Sequence, residues 1–112
     1  MGYLIYDGQT AELQMEDRTL AHLQIVIINK LRRHESFALS WKDTATHGDG
    51  RSTVWLHPTV SLRFKFSGSR PPSINQNWLT ALTQSANSGT GLHLVPEPVD
   101  PTTPPALHAV TP

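Results

Sequence analysis

The sequence predicts an α+β domain: a two-layer sandwich with a mainly antiparallel sheet, elements in the order ββα-βββ-αβ, and two helices on one face. Three observations predict it. Apolar residues between Leu20 and Leu31 recur with helical spacing over a helix-sized length. Several short runs alternate apolar and polar residues with the period of two that marks a half-buried strand. Turn residues separate consecutive runs, so neighbouring strands run antiparallel.

The first element is a hairpin. Tyr3 to Tyr6 is strand-like, Asp7-Gly8 is a turn signal, and Ala11, Leu13 and Met15 alternate with Glu12 and Gln14. Asp17 then offers an N-cap for a helix reaching about His34. At about 100° per residue, Leu20, Leu23, Ile27 and Leu31 form one stripe, which Ala21, Val26 and Ile28 widen. His22, Asn29 and Arg33 make the narrow polar strip that remains. The β-branched run from Ile25 to Ile28 lowers helix propensity, but the length of the apolar pattern and the lack of a turn signal favour the helix. A helix apolar over most of its circumference needs cover on more than one side.

Phe37, Leu39 and Trp41 alternate with Ala38 and Ser40 in a third strand, and residues 42–51 form a polar loop. "STVWLH" is a fourth strand halted by Pro58. In "VSLRFKFS", Val60, Leu62, Phe64 and Phe66 point one way and Ser61, Arg63, Lys65 and Ser67 the other. Ser73 with Gln76 reads as a capping box for a second helix that buries Ile74, Trp78, Leu79 and Leu82. "NSGTG" ends that helix and "LHLV" supplies a last short strand. Six of the nine prolines lie from Pro96 onward, where little remains to bury, so residues 1–96 read as one domain and 97–112 as a Pro-rich disordered tail.

Composition narrows the function. The 112 residues suffice for a single core. The absence of cysteine excludes disulfides, zinc-thiolate sites and thiol catalysis, and suits a cytoplasmic location. No apolar run approaches the length of a bilayer span, so no membrane partner is expected, and the early Asp7 does not fit a secretion signal. The net charge is zero but unevenly spread: residues 1–17 hold four acids and no Lys or Arg, whereas residues 18–70 hold all nine basic residues and three acids.

The chemistry of catalysis is not found. The six histidines include no i, i+4 pair and no HExxH, and there is no GxSxG nucleophile elbow and no phosphate-cradling glycine loop. His47 and Asp49, with Asp43 near, offer at most a weak metal site in a polar loop. No cofactor and no enzymatic activity are expected.

Lys30, Arg32, Arg33 and His34 fall in the last turn of the first helix, where unpaired carbonyls attract cations without any ligand. Arg51, Arg63 and Lys65 accompany Trp55, Phe64 and Phe66 along the strands, but Phe64 and Phe66 share the core face of their strand. Two readings follow. The first is a non-enzymatic interaction module that self-associates as a homodimer or binds a protein, with Ile25 and Val26 as the association surface. The alternative is a weak, non-specific DNA or RNA binder using Arg32, Arg33, Arg51, Arg63 and Lys65.

In "RTLAHLQIVIINKLRRHESFALSW", "VWLHP", "RPPSINQNWLTAL" and "SANSGTGLHLVPEP" the chain resembles a family of small uncharacterised actinobacterial proteins, over residues 1–98. Members often carry the automatic label "ATP-dependent DNA ligase", which implies at most an accessory role near DNA repair or ligation. The residues here do not fit ligation itself. Such enzymes adenylylate the lysine of a K-x-D-G motif, and Lys42 is followed by Asp43, Thr44 and Ala45, while Lys30 and Lys65 fit no better.

Overall fold

The computed structural model describes residues 1–43 and 50–99. Its elements follow the predicted order: β1 (Gly2–Tyr6), β2 (Ala11–Met15), α1 (Asp17–Arg32), β3 (Phe37–Lys42), β4 (Arg51–Leu56), β5 (Leu62–Lys65), α2 (Gln76–Ala86) and β6 (Leu92–His93). The class is α+β and the pairing is mostly antiparallel.

The strands divide into two sheets of three rather than one. The first has the order β2-β1-β5 and the second β4-β3-β6. The division falls between β4 and β5. Pro58 stops β4 and cannot donate to a ladder. The chain then crosses to the free edge of β1, where Tyr3 faces Lys65 and Tyr6 faces Leu62, and the Asp7 amide donates to the Ser61 carbonyl. The last strand, β6, pairs with β3 in parallel through Leu39–Leu92 and Ser40–His93.

The alternation of β5 has the predicted outcome. Leu62 and Phe64 are partly buried against the core, while Arg63 and Lys65 are exposed. Leu4 and Leu13, paired across β1 and β2, supply the core from the same sheet. From the second sheet come Phe37, Leu39, Leu56 and Leu92. Helix α1 packs against α2 and β1, and Leu20, Leu23 and Ile27 are completely buried.

Both predicted caps are different in the structure. Glu16 is the N-cap of α1 and makes no side-chain cap. Asp17 is already helical, and its carboxylate accepts instead from the Ser67 and Gly68 amides at 3.1 and 2.8 Å, which draws the end of β5 onto the start of the helix. In α2 the cap is Asn75 rather than Ser73, and its Oδ1 accepts from the Asn77 and Trp78 amides. Asn competes well at this position because its short amide reaches those amides directly. At the other end of α1, His34 adopts a left-handed φ of 60° and its amide donates to the Leu31 carbonyl, which ends the helix at Arg32.

His22, placed by periodicity on the polar strip, is completely buried. The Asn75 amide donates to its Nε2 at 2.9 Å, so Nδ1 carries the proton and donates to the Arg18 carbonyl at 2.7 Å. Its ring also lies against Trp78, with centroids 4.5 Å apart. The N-terminal end of the polar strip is therefore covered by α2, while Asn29 and Arg33 stay exposed.

The expected tail boundary lies at residue 96. Beyond it, Glu97 meets Arg18, the Pro98 carbonyl accepts from Asn75 and the Val99 carbonyl accepts from Asn77. Residues 100–112 lie outside the described residues.

Candidate functional site

One face of α1 is left open by its neighbours. Asp17, Ala21, Ile25, Ile28 and Arg32 follow the i, i+4, i+8, i+11, i+15 pattern of a single stripe along the helix. Ile28 is 39% exposed and Ile25 half-buried. Beside this stripe lies a groove of about 390 Å³, walled by Ala21 and Ile25 on the helix and by Phe66, Pro71, Pro72 and Ile74 on the segment after β5. Three local features set that wall. The Asp17 carboxylate holds Ser67 and Gly68. Arg18 Nη1 donates to the Ser73 carbonyl at 2.7 Å. The two prolines fix φ between those anchors.

The two residues expected on an association surface part company here. Ile25 lines the groove, whereas Val26 is 2% exposed and belongs to the core. Successive helical residues point about 100° apart, so one narrow open strip holds only one of them.

The five candidate nucleic-acid contacts fall in three places. Arg32 and Arg33 are at the C-terminal end of α1, Arg63 and Lys65 are on the first sheet, and Arg51 is on the second. Arg33 is engaged, with Nε 2.9 Å from Glu35 Oε2. Lys30, the remaining cation of that turn apart from His34, is buried and donates to Glu35 Oε1 at 2.8 Å and to Asn87 Oδ1 at 2.6 Å. The Arg33 hydrogen bond, followed by that of Lys30, draws the Glu35 carboxyl down from 4.5 to about 2.

The second sheet carries a surface that sequence reasoning missed. Trp55 is 56% exposed. The signal that could have found it is the alternation in "STVWLH": with Val54 and Leu56 facing inward, Trp55 has to face out. Register adds what sequence cannot show. On that outer face Arg51 stands opposite Lys42, Thr53 opposite Ser40, and Trp55 opposite Ala38. His93 of β6 extends the middle row, next to Ser40.

A third cluster joins the two helices to the C-terminal segment. Arg18 binds both carboxylate oxygens of Glu97, Nε to Oε1 at 2.9 Å and Nη2 to Oε2 at 2.5 Å. Asn75, completely buried, donates from Nδ2 to Glu97 Oε2 and to the Pro98 carbonyl, both at 2.9 Å. Trp78 Nε1 donates to the Val95 carbonyl. The Arg18 hydrogen bond first, then that of Asn75, lowers the Glu97 carboxyl from 4.5 to about 2. Each polar atom of this cluster already has a structural partner, and among the described residues no buried side-chain nitrogen or oxygen lacks one. The cluster fastens the C-terminal segment to the two helices. Sequence reasoning missed it because Arg18 and Glu97 lie 79 residues apart.

Of the weak metal candidates, His47 and Asp49 lie outside the described residues. The Asp43 carboxylate accepts from the Ser52 hydroxyl. Among the described residues no three His, Asp or Glu side chains group as a metal site, and no helix is long and apolar enough to cross a membrane.

Residues 1–97 match a family described as a domain of unknown function, DUF7882. No curated protein and no solved structure matches the chain.

Proposed function

This chain belongs to the DUF7882 family, and we propose that it is a non-enzymatic interaction module that pairs with a second copy of itself through the open stripe of α1. The observation that carries the reading is the composition of that stripe. Its middle is apolar, with Ala21, Ile25 and Ile28, and the groove beside it is walled by Phe66, Pro71, Pro72 and Ile74. Its ends are oppositely charged, Asp17 at the start and Arg32 at the finish. In an antiparallel pair of α1 helices related by a two-fold axis, each Arg32 meets the Asp17 end of the other copy and the isoleucines meet at the centre. The helix dipoles oppose favourably in the same arrangement. Such self-complementary contacts are the commonest route to a dimer.

Light scattering and sedimentation over a range of concentrations test this. The wild-type chain is expected to pass from monomer to dimer, and Ile25→Glu or Ile28→Glu to stay monomeric with an unchanged circular-dichroism spectrum. A wild-type chain that stays monomeric up to about 1 mM, the weak end of specific affinity, refutes the proposal.

A further inference from the structure

We propose that the outer face of the second sheet binds single-stranded nucleic acid, with a base stacked on Trp55 and backbone phosphates held by Arg51 and Lys42. This surface is separate from the α1 stripe and does not depend on dimer formation.

The first argument is electrostatic. Lys42 and Arg51 are directly opposite each other across the β3–β4 ladder, and both are exposed. Like charges in that position repel and weaken the strand pair. Among the described residues neither has an ion-pair partner: the ion pairs there join Arg18 to Glu97 and Lys30 and Arg33 to Glu35. An anion bridging the two cations removes the repulsion.

The second argument is the order of the face. Three rows succeed one another across the strands. The cationic row is Arg51–Lys42, the middle row is Thr53–Ser40–His93, and the third is Trp55–Ala38–Gly91. In the third row Trp55 is the only large side chain; beside it are a methyl group and a glycine that tolerates no Cβ, because one would come 2.7 Å from the Ala38 carbonyl oxygen. The exposed indole thus overlooks a low shelf on which a flat ring can lie. Residues 51 and 55 are four positions apart along one strand, about 13 Å. That separation is compatible with a base at one end and a phosphate one or two nucleotides away at the other. Thr53, Ser40 and His93 place hydrogen-bonding groups between them.

The third argument is size. The cationic and middle rows line a cleft of about 1540 Å³ together with Trp41, Ser52 and Leu94 and, across from them, Tyr3 and residues 9–15 of the first hairpin; Trp55 lies outside its lining. Pockets for small molecules run to roughly 300–1,000 Å³, so this cleft has room for a longer chain. Glu12 on the hairpin side and Asp43 beside Lys42 are the acids of the lining. The Asp43 carboxylate is engaged by Ser52, and Glu12 repels phosphate from the hairpin, which leaves the second sheet as the anionic strand's track. Arg63 and Lys65 are on the other sheet and take no part.

Fluorescence anisotropy with labelled 15-mers of deoxythymidine and of uridine, and with duplex DNA of equal length, tests the proposal on the full chain at low salt. Both single strands are expected to bind more tightly than the duplex, whose bases are already stacked. Trp55→Ala is expected to weaken the single-strand affinity roughly 5- to 150-fold, the usual cost of removing one base stack. Arg51→Ala is expected to weaken it and to shallow the salt dependence, by about 0.7 in the slope of log K against log salt for each single-strand phosphate that is no longer neutralised. Arg63→Ala, on the other sheet, should leave both unchanged. Circular dichroism of each variant confirms that the fold persists. Absence of single-strand binding at about 50 mM salt overturns the proposal. So does duplex binding of equal strength that ignores Trp55→Ala, which would mark a mere attraction for polyanions. Trp55 protection by a protein partner in place of an oligonucleotide would overturn it as well.

Discussion

Arg18 and Glu97 meet as a two-pronged ion pair, with Nε 2.9 Å from Oε1 and Nη2 2.5 Å from Oε2. The first residue lies in the first turn of α1 and the second beyond the last strand, so this contact, with those of Asn75, Asn77 and Trp78, holds the C-terminal segment against the two helices. Asn75 completes it by holding the same carboxylate while its Oδ1 caps α2. A planar guanidinium against a planar carboxylate is the geometry in which such pairs are strongest.

The pair predicts an acid-sensitive fold. Glu97 has its carboxyl lowered from 4.5 to about 2 in the folded chain. A lowered carboxyl contributes stability above the unfolded value, and that contribution disappears as pH falls from about 4.5 towards 2. Glu97→Gln should therefore cost little at neutral pH, within the 0.2–1 kcal/mol or so typical of exposed pairs, and flatten the acid limb of the stability curve. Glu35, lowered to about 2 by Arg33 and Lys30, titrates over the same window, so the flattening is partial in the single variant and fuller with Glu35→Gln added. Urea midpoints measured from pH 7 to pH 2.5 check this; parallel curves for wild type and Glu97→Gln would contradict it.

Lys30 ties the C-terminal ends of the two helices together. Its Nζ reaches Asn87, the C-cap residue of α2, at 2.6 Å, and lies 5.4 Å from the centre of the Phe37 ring. Lys30→Ala should cost about 1.5–3 kcal/mol, as expected when a hydrogen bond to a charged group goes together with the packing of the stem. Lys30→Met keeps the stem and should cost less. A double-mutant cycle with Asn87→Ala should show a coupling of at least about 0.5 kcal/mol. Strict additivity in chemical denaturation would mean that the contact ties nothing.

Gly91 and Gly8 both have left-handed backbones, with φ of 86° and 64°, but different surroundings. A Cβ at Gly8 meets nothing within 4 Å, whereas one at Gly91 comes 2.7 Å from the Ala38 carbonyl oxygen and 3.0 Å from its Cβ. Gly8→Ala should cost only the conformational penalty, about 1–2 kcal/mol. Gly91→Ala should cost clearly more, because β6 has to move off β3 to relieve the overlap. Comparing the two thermal midpoints decides it, and equal losses would count against the close approach.

Local patterns in the sequence determined the class of fold and the order of its elements. The helical stripe of α1, the alternation that turns Phe64 inward and Arg63 outward, and the Asp7-Gly8 turn depend on residues a few positions apart. Bond geometry fixes such relationships wherever the element ends up. The same alternation also carries the exposure of Trp55, a signal that is legible only once Val54 and Leu56 are assigned to the core.

What only the tertiary structure decided are the relations between distant residues. Pairing across strands set Lys42 against Arg51, and the chain's crossing after Pro58 divided the strands into two sheets. The approach of α2 turned His22 from a residue of the polar strip into a buried partner of Asn75, and the packing around α1 left Ile25 at the groove while enclosing Val26. Even the start of α1 was settled at long range, since Asp17 serves Ser67 and Gly68 in place of its own helix. A polar side chain binds whichever partner the packed fold brings within about 3 Å, and sequence spacing carries no information about partners fifty or more residues away.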